Sequence, residues 1–389
     1  MTELQQLINE LCPNGVKFVA LEECCKILDN KRKPVTKAAR QAGEYPYYGA
    51  NGIQDYVSDY IFDGIFVLVG EDGSVVTPSG NPVVNWATGK IWVNNHAHII
   101  EEKDGVLLRY LYHYLQTVNV SALIHGNIPK LTGGDFRAIK VPVPPLPVQS
   151  EIVRILDNFT ELTAELIAEL TARKQQYAHY RDTLLKLDNN VPSYTLKDIC
   201  LLIADGDHMP PPKADSGVPF ITISNITETR QIDFSNVMYV PREYYDKLAD
   251  KRKAKRDDIL YTVVGSFGIP VHISSKTEFV FQRHIAILRP NQQMIVPRYM
   301  YHIMQSTEFY KQADKAAKGA AQRTIGLSSL GNMTIPLPSI EEQKRIVAIL
   351  DRFDTLCNDI SVGLPAEIVA RQKQYEYYRD KLLTFEPAK

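Results

Sequence analysis

The apolar positions of this chain follow two kinds of pattern, which alternate along its length. Residues 152–187 and 346–385 carry apolar or aromatic side chains at steps of three and four, the spacing of one face of a long helix. Residues 16–140 and 191–334 instead carry short apolar runs broken by Gly, Pro, Asn and Asp, as in an irregular sheet. The pattern predicts two mixed α+β domains, each followed by a long helix.

The two helical stretches are copies of one another. Residues 141–157 match residues 335–351 at eight of seventeen positions, and residues 173–185 match residues 371–383 at eight of thirteen. Average composition gives only about one identity in the first comparison. The sequence offsets, 194 and 198 residues, differ by four, which is about one helical turn. A repeat of this length indicates duplication of a whole domain with its helix, not a solenoid of about 20–50-residue units.

Both helical stripes have the three-four spacing of a coiled-coil seam with a stutter, an inserted step of four. The first copy contains the helix-favouring four-residue repeat ELTA, ELIA, ELTA at Glu161–Ala172. The second copy contains Gly363 and Pro365, which predict a kink or short break. Each seam needs a partner, and the nearest partner is the other copy. The first seam is Ile152, Ile155, Phe159, Leu162, Leu166, Leu170, Arg173, Tyr177, Tyr180, Leu184 and Leu187.

Composition sets the class of protein. The chain has 389 residues, 44% hydrophobic and 23% charged, which fits two or three globular domains. It has no signal-like start and no apolar run near eighteen residues, so we expect no membrane segment. Its five cysteines are odd in number and lack metal-ligand spacing, which favours the reducing cytoplasm.

Motifs for chemistry are missing from the sequence. It has no G-x-x-x-x-G-K-[ST], no G-x-G-x-x-G, and no Asp-Pro-Pro-Tyr or Asn-Pro-Pro-Phe tetrapeptide. We therefore predict no catalytic residues and no cofactor in this chain. His96 and His98 are the nearest approach to a metal pair, but they alternate along an apparent strand with no carboxylate cluster close by in sequence. A core histidine beside a loop histidine is the better interpretation, and we predict no metal site.

Two basic runs point to nucleic acid despite a net charge of −1. Residues 31–40 and 251–256 each hold five cations, although such a run is more often a solvated face. A helix from 149 to 187 would be roughly 58 Å long, so domains held at its ends could sit about one DNA turn apart and read one face of a duplex. The loops 127–130 and 321–324 coincide at the 194-residue offset, which favours Lys130 and Arg323. The candidate DNA-binding residues are Lys31, Arg32, Lys33, Lys37, Arg40, Asn51, Asn95, His96, His125, Asn127 and Lys130 in the first domain, and Ser224, Asn225, Lys251, Arg252, Lys253, Lys255, Arg256, Lys318, Gln322 and Arg323 in the second.

The motif P-x-P-x-x-x-x-Q-x-x-I-V-x-I-L-D at the start of each helix, the ELTA-type repeat and the motif R-x-x-Q-Y-x-x-Y-R-D-x-L-L resemble the DNA specificity subunit of type I restriction-modification systems. The resemblance implies an N-terminal helix (1–15), a first target recognition domain (16–140), a central helical region (141–190), a second target recognition domain (191–334) and a C-terminal helical region (335–389). It also implies a pseudo-twofold fold in which the two helices form an antiparallel coiled coil. Each recognition domain would then read one half of a bipartite site in double-stranded DNA.

The same resemblance implies partners that supply the chemistry. Two methyltransferase subunits would dock on the helices, and restriction subunits would complete a site-specific deoxyribonuclease and adenine-specific DNA methyltransferase complex. The paired aromatic ends of the helices are the candidate partner-binding residues, since Tyr and Arg are favoured at interfaces. Two other functions stay open: a structural adaptor with two peptide-binding domains, and a fused methyltransferase or nuclease with degenerate motifs. The partner-binding candidates are Tyr177, Tyr180, Arg181, Tyr375, Tyr378 and Arg379.

Overall fold

A computed structural model describes residues 3–73, 75–188, 190–206, 211–320, 322–359 and 361–389. The chain forms two compact units of mixed helix and sheet. Unit 1 comprises Met1–Glu165 and Val369–Lys389, and unit 2 comprises Leu166–Ile368. Each unit therefore combines one sheet domain with the start of one helical stretch and the end of the other. The boundaries inferred from the sequence separate the sheet domains from the helical regions, whereas each unit of the structure combines both.

Unit 1 begins with a short helix, and three further short helices are interspersed among its strands. Its helices are α1 (Glu3–Leu11), α2 (Leu21–Cys24), α3 (Leu108–Leu115) and α4 (Gly133–Ala138). Its strands are β1 (Phe18–Ala20), β2 (Lys26–Ile27), β3 (Ala42–Gly49), β4 (Gly52–Val57), β5 (Phe62–Gly70), β6 (Val84–Val93), β7 (Ala97–Glu101), β8 (Ile124–His125), β9 (Lys130–Leu131) and β10 (Lys140–Pro142).

The long helix α5 (Leu146–Leu184, 39 residues) starts in unit 1 and ends in unit 2. Unit 2 continues with β11 (Ser193–Thr195), α6 (Leu196–Ile199), β12 (Cys200–Asp205), β13 (Val218–Ile221), β14 (Met238–Val240), α7 (Arg242–Lys247), β15 (Ile259–Thr262), β16 (Pro270–His272), β17 (Val280–Phe281), β18 (Ile285–Pro290), α8 (Pro297–Ile303), α9 (Thr307–Ala316), α10 (Leu327–Gly331), β19 (Thr334–Pro336) and α11 (Ile340–Asn358). The last helix, α12 (Leu364–Leu382), starts in unit 2 and ends in unit 1.

The break expected in the second helical copy lies between α11 and α12. The Gly363 amide donates to the Asp359 carbonyl, and a Cβ at Gly363 would lie 2.4 Å from the Thr355 carbonyl oxygen. Only glycine fits so close to the preceding turn. Pro365 then occupies the second position of α12, where a helix tolerates proline. Ile360, a seam position of this copy, lies outside the described residues.

The sheets of the two units share a central three-strand arrangement. In unit 1 the order is β2-β7-β5-β6-β3-β4, and in unit 2 a four-stranded sheet has the order β12-β18-β15-β16. The central strand β5 holds Val67, Leu68 and Val69 with no exposure, and the equivalent β15 holds Ile259, Leu260 and Tyr261 with none. Such continuous apolar runs are covered on both faces. Parallel pairing occurs in both units, between β3 and β6 within the sheet of unit 1, and between β13 and β17 in a separate three-stranded sheet of unit 2 with the order β14-β13-β17.

One buried glutamine explains why each helix start repeats the same motif. Gln149 accepts the Leu107 amide at 2.9 Å and donates to the carbonyls of Gly105 (3.0 Å) and Pro144 (2.7 Å). Gln343 accepts the Val296 amide at 2.8 Å and donates to the carbonyls of Met294 (3.1 Å) and Pro338 (2.9 Å). Neither side chain is exposed. Each therefore ties its long helix to α3 or α8 with its hydrogen bonds satisfied.

A second duplicated network ties the end of each helical stretch to its unit. In unit 1, the His113 Nε2 lies 2.8 Å from Asp157, and the His113 Nδ1 lies 3.0 Å from the Tyr375 hydroxyl. Arg109 donates to the same carboxylate at 2.8 Å. Burial lowers the pKa of His113, despite the neighbouring Asp157. The neutral ring therefore donates from Nε2 and accepts the tyrosine hydroxyl at Nδ1.

Unit 2 repeats this network with the other tyrosine. His302 lies 2.6 Å from Asp351 through Nε2 and 2.9 Å from the Tyr177 hydroxyl through Nδ1, and Arg298 donates to Asp351 at 2.9 Å. Burial also lowers the pKa of His302. The end of the first helical copy thus packs with the second sheet domain, and the end of the second copy packs with the first. Phe159 stacks on Tyr378 in unit 1, and Tyr180 stacks on Phe353 in unit 2.

Candidate nucleic-acid interface

Three loops meet at one end of the central strand in each unit. In unit 1 the described residues of these loops are 71–73 with 75, 94–96 and 125–130, and we call them the three-loop face of unit 1. The Glu71 amide donates to the His96 carbonyl (2.8 Å), and the Leu131 amide donates to the Glu71 carbonyl (2.8 Å). The Gly73 amide donates to the Pro129 carbonyl (2.9 Å). Backbone bonds therefore hold the loops in register, whatever their exposed side chains are.

The three-loop face of unit 2 comprises residues 263–267, 282–284, 318–320 and 322–325. It has the same bonds. The Val263 amide donates to the His284 carbonyl (2.9 Å), and the Ile325 amide donates to the Val263 carbonyl (2.8 Å). The Gly265 amide donates to the Arg323 carbonyl (3.0 Å). The bonds make residues 129–131 equivalent to residues 323–325 at the 194-residue offset, whereas Ala321 and Ser74 lie outside the described residues.

The bonds define which residues of the two faces are equivalent. Lys130 corresponds to Thr324, because each forms an isolated bridge to the loop after the central strand, at Asp72 and Val264 respectively. Pro129 corresponds to Arg323 by the same bonds. The Asn94 amide donates to the Tyr48 carbonyl, and the Gln282 amide donates to the Ile221 carbonyl. The frame is duplicated while the side chains on it differ. The equivalent pairs are Asp72 and Val264, Asn95 and Arg283, His96 and His284, Pro129 and Arg323, and Lys130 and Thr324.

A buried charged cluster supports the three-loop face of unit 1. His98, only 1% exposed, has Nδ1 2.7 Å from Asp29 and Nε2 3.0 Å from the Leu131 carbonyl. Both ring nitrogens therefore lie within hydrogen-bond distance of an acceptor. The ring also stacks on Phe136, with centroids 4.2 Å apart. His98 thus connects the 29–33 segment to the loop that carries Lys130.

Arg32 completes this cluster. It donates to Glu71 (2.6 Å) and to the Ala97 carbonyl (2.7 Å), and Lys130 lies 3.1 Å from the other oxygen of Glu71. Burial works against ionised Asp29 and Glu71, but hydrogen bonds from His98 and Arg32 and their charges hold the pKa of both carboxyls below its ordinary value. We call Asp29, Arg32, Glu71 and His98 the charged cluster of unit 1.

The charged cluster corrects one expectation about the histidines. The sequence suggested no carboxylates near His96 and His98, but Asp29 and Glu71 surround His98, and Asp72 contacts His96. Ligand atoms of Asp29, Glu71 and His98 lie within 4.8 Å of one another. Arg32 pairs with both of these carboxylates and supplies a positive charge and donors to them. His98 is the core histidine and His96 the loop histidine, as expected.

Several predicted contacts of unit 1 are used inside the domain. The Arg32 side chain is 12% exposed, and that of Arg40 is 15% exposed. Arg40 pairs with Asp55 at 3.2 Å and lies over the Tyr47 ring. Both guanidinium groups are therefore engaged in contacts within unit 1. The exposed candidates are Lys31, Lys33, Lys37, Asn51, Asn95, His125 and Asn127, with His96 and Lys130 half-exposed.

The basic segment 31–37 adjoins the three-loop face of unit 1. The Lys33 amide donates to the Val93 carbonyl, and the Trp92 indole donates to the Lys33 carbonyl at 2.7 Å. Val93 precedes the 94–96 loop directly. Lys31, Lys33 and Lys37 are exposed and form no ion pair with any residue in the described ranges. Their charge is available to an external anion.

The basic run of unit 2 lies elsewhere. Arg289 donates to the Lys253 carbonyl at 3.1 Å, near the Pro290 end of β18, whereas the three-loop face adjoins its Ile285 end. One strand length, roughly 17 Å, separates them. The Lys253 ammonium donates to the Asp246 carbonyl, and Lys255 pairs with Asp250 at 2.8 Å. Residues 251–256, including Lys251, Arg252 and Arg256, therefore do not share a surface with Gln322 and Arg323.

Other predicted residues of unit 2 divide in the same way. Asn225 donates to the Asp233 and Asn236 carbonyls and accepts the Thr222 amide, so its amide holds a turn. Arg323 pairs with Asp314 at 2.6 Å and lies over Phe267. Ser224, Lys318 and Gln322 are exposed. Arg283 and His284 lie on the three-loop face of unit 2 and are absent from the residues predicted from the sequence.

The predicted partner-binding residues also separate by burial. Tyr177 is 4% exposed and Tyr375 is 8% exposed, and both hydroxyls are hydrogen-bonded inside their units. The Arg181 side chain is 9% exposed and that of Arg379 is 13% exposed. Tyr180 and Tyr378 remain 42% and 40% exposed. Only these two tyrosines of the set present a substantial ring surface.

Comparison with known proteins identifies the family. The model of the type I restriction modification DNA specificity domain matches residues 13–173 and 189–370. A Haemophilus influenzae protein, classed by name with type I restriction enzyme specificity subunits, is 37% identical over 95% of this chain and 96% of its own length. The EcoR124I/EcoR124II specificity subunit of Escherichia coli is 36% identical over 73% of this chain and 72% of its own. This chain belongs to the family of type I restriction-modification specificity subunits.

A solved structure agrees at the level of the fold. The S subunit of a type I restriction-modification system from M. genitalium superposes with a TM-score of 0.55 at 15% identity, over 95% of this chain and 96% of that chain. The mixed helix and sheet composition predicted from the sequence is confirmed. Among the helices in the described ranges, none is both long and apolar enough to cross a membrane.

Proposed function

We propose that this chain is the sequence-specific DNA-recognition subunit of a type I restriction-modification complex, in which each unit reads one half of a bipartite site. The observation that carries the proposal is the duplicated three-loop face, whose backbone bonds are the same while its exposed side chains differ. A fixed frame with exchangeable side chains suits two readers of different sequences. Family membership supports the same function.

On this proposal, contacts to phosphate and to bases have different sources in unit 1. Lys31, Lys33 and Lys37 adjoin the face as exposed flexible cations, which suits the phosphate backbone. Asn95 and Asn127 lie on exposed loops of the face, and asparagine pairs well with the edge of adenine. Lys130 is drawn toward Glu71, so it would be presented from a fixed direction.

The helices would set the distance between half-sites and carry partners. We propose that the two helical copies form an antiparallel coiled coil, supported by the stacking of Phe159 on Tyr378 and of Tyr180 on Phe353. The duplication gives two similar surfaces, which suits two methyltransferase subunits, with restriction subunits joining the full complex. This cytoplasmic chain would supply recognition, and its partners would supply the catalytic residues and cofactors.

The proposal is tested with the full chain and a duplex that carries both half-sites, identified by sequencing methylated adenines in a strain with the system. Filter binding at two salt concentrations should show tight, salt-dependent binding to this duplex and weaker binding to one with shuffled half-sites. Replacing Lys31, Lys33 and Lys37 with Ala should weaken binding to all sequences alike. Each replacement should flatten the logarithmic salt dependence by about one.

The matched control is Lys26→Ala, which removes an exposed lysine that already pairs with Glu101. It should leave the salt dependence almost unchanged. Binding without salt dependence or sequence preference would contradict the proposal and favour the peptide-binding adaptor. Binding of S-adenosylmethionine by the chain alone would favour the fused methyltransferase.

A further inference from the structure

The turn Gln282–His284 places an arginine on the three-loop face of unit 2. The Ile285 amide donates to the Gln282 carbonyl at 3.0 Å and closes the turn, so Arg283 lies at its tip. The equivalent tip in unit 1 carries Asn95. Backbone bonds at both ends of this turn fix its direction, through Ile221 on one side and Val263 on the other. The backbone of the turn is therefore held at both ends, and it carries one exposed side chain, Arg283.

A cavity of about 300 Å³ lies beside this turn. Its lining combines apolar residues of the three-loop face with the polar side chains of Asp205, Arg283, His284, Gln322 and Thr324. Arg283 is exposed and forms no hydrogen bond or ion pair within the described part of the chain. Partial burial and the charge of Arg283 lower the pKa of His284, which leaves this ring neutral near pH 7. The cavity lining thus offers the free guanidinium of Arg283, the amide of Gln322 and the neutral imidazole of His284.

The other arginine of this face is differently placed. Arg323 donates from one nitrogen to the Asp314 carboxylate and from another to the Asp314 carbonyl, and its guanidinium covers Phe267. Contact with a base edge would require Arg323 to leave these partners. Arg283 has no such cost among the described residues. Of the two, Arg283 is therefore the one whose fork of donors is available to an external ligand.

We propose that this cavity receives the edge of a base pair in the second half-site, and that Arg283 pairs with the O6 and N7 acceptors of a guanine there. The inference rests on the proposed function and names a specificity-determining residue for it. Arginine matches guanine because its planar fork meets two acceptors in the major groove. Asn95, at the equivalent tip of unit 1, suits adenine instead. The equivalent turns of the two units would then read different bases in the two half-sites.

The test is a double-mutant cycle between protein and DNA. The full chain and Arg283→Ala are titrated with the cognate duplex and with duplexes in which 7-deazaguanine, which lacks the N7 acceptor, replaces each guanine of the second half-site in turn. We expect one guanine at which the replacement weakens wild-type binding by roughly 5- to 150-fold. The same replacement should have little effect on Arg283→Ala. Discrimination in the first half-site should be unchanged.

Two controls separate this role from a phosphate contact. Lys251→Ala removes an exposed cation from the far end of β18 and should leave base discrimination intact. Arg323→Ala should also keep the sensitivity to 7-deazaguanine. Uniform weakening of all sequences by Arg283→Ala, with equal loss on each 7-deazaguanine duplex, would overturn the inference. Failure of the wild-type chain to prefer its cognate duplex would instead overturn the proposed function.

Discussion

Replacing His98 with Ala should destabilise unit 1 strongly. The His98 ring is 1% exposed and lies 2.7 Å from Asp29 and 3.0 Å from the Leu131 carbonyl. Its removal takes one hydrogen-bond partner from each of these two groups and leaves a gap against Phe136. Each buried polar group left without its partner costs about 1–3 kcal/mol. That loss is a large part of the stability of an ordinary domain, roughly 5–15 kcal/mol.

The chain provides a selective probe for this loss. Its two tryptophans, Trp86 and Trp92, both lie in unit 1, so tryptophan emission during urea unfolding reports this unit alone. His96→Ala is the matched control, because that side chain is 46% exposed and pairs with Asp72 at the surface. Its expected cost is within about 1 kcal/mol.

The expected result is a transition at much lower urea for His98→Ala than for His96→Ala. Acid should mimic the variant. The folded-state pKa values of Asp29 and Glu71 are lowered, so their stabilisation is present above about pH 4.5 and is lost as the pH falls through the folded-state values. Equal midpoints for the two variants would refute the assignment of His98 as the support of the three-loop face.

Three further outcomes follow from the helices. Burial lowers the folded-state pKa of His113, so the unfolded chain binds a proton first and unit 1 should lose stability as the pH falls below about 6.5; His113→Gln should flatten this slope in tryptophan-monitored unfolding. Tyr180→Ala with Tyr378→Ala should reduce capture of methyltransferase subunits in a pull-down, and Tyr56→Ala, an exposed tyrosine of β4, should not. Deleting residues 165–168 removes about 6 Å of helix, the length of one or two base pairs at about 3.4 Å each. The four residues also turn the helix by about 40° beyond a full turn, close to the roughly 35° of one base pair, so methylome sequencing should show a DNA spacer shorter by one base pair. An unchanged spacer with full activity would contradict this prediction.

The sequence predicted elements whose causes are local. The long helices followed from three-four spacing, and the break between α11 and α12 followed from Gly363 and Pro365. In both cases the residues that form the sequence pattern lie within or next to the element that the pattern predicts.

The partition into units was not predictable in this way. Tyr177 bonds to His302, and Tyr375 bonds to His113, across 125 and 262 positions of the chain. The repeated tyrosines were seen as surface anchors because sequence alone does not show which buried histidine each one meets. The tyrosine that the two helical motifs share thus forms a hydrogen bond inside each unit, so its repetition is explained by this internal bond at least as well as by a binding partner.

The candidate site showed the same limit through its charges. A run of cations predicts a positive surface only where its members do not pair with neighbouring acidic side chains. Arg32 meets Glu71, and Arg323 meets Asp314, in contacts set by tertiary structure. Lys31 and Lys33, next to Arg32 in sequence, remain exposed. Composition gave the number of cations, and the fold decided which of them are available.

The division of labour between the units can be tested by exchanging residues 1–140 for those of a relative that recognises a different site. The hybrid is placed in a strain with its methyltransferase partners, and methylated adenines are mapped across the genome. One half of the bipartite site should change to that of the donor, and the other half should stay intact. A hybrid that methylates efficiently with both half-sites altered, or with neither altered, would contradict the assignment of one half-site to each unit.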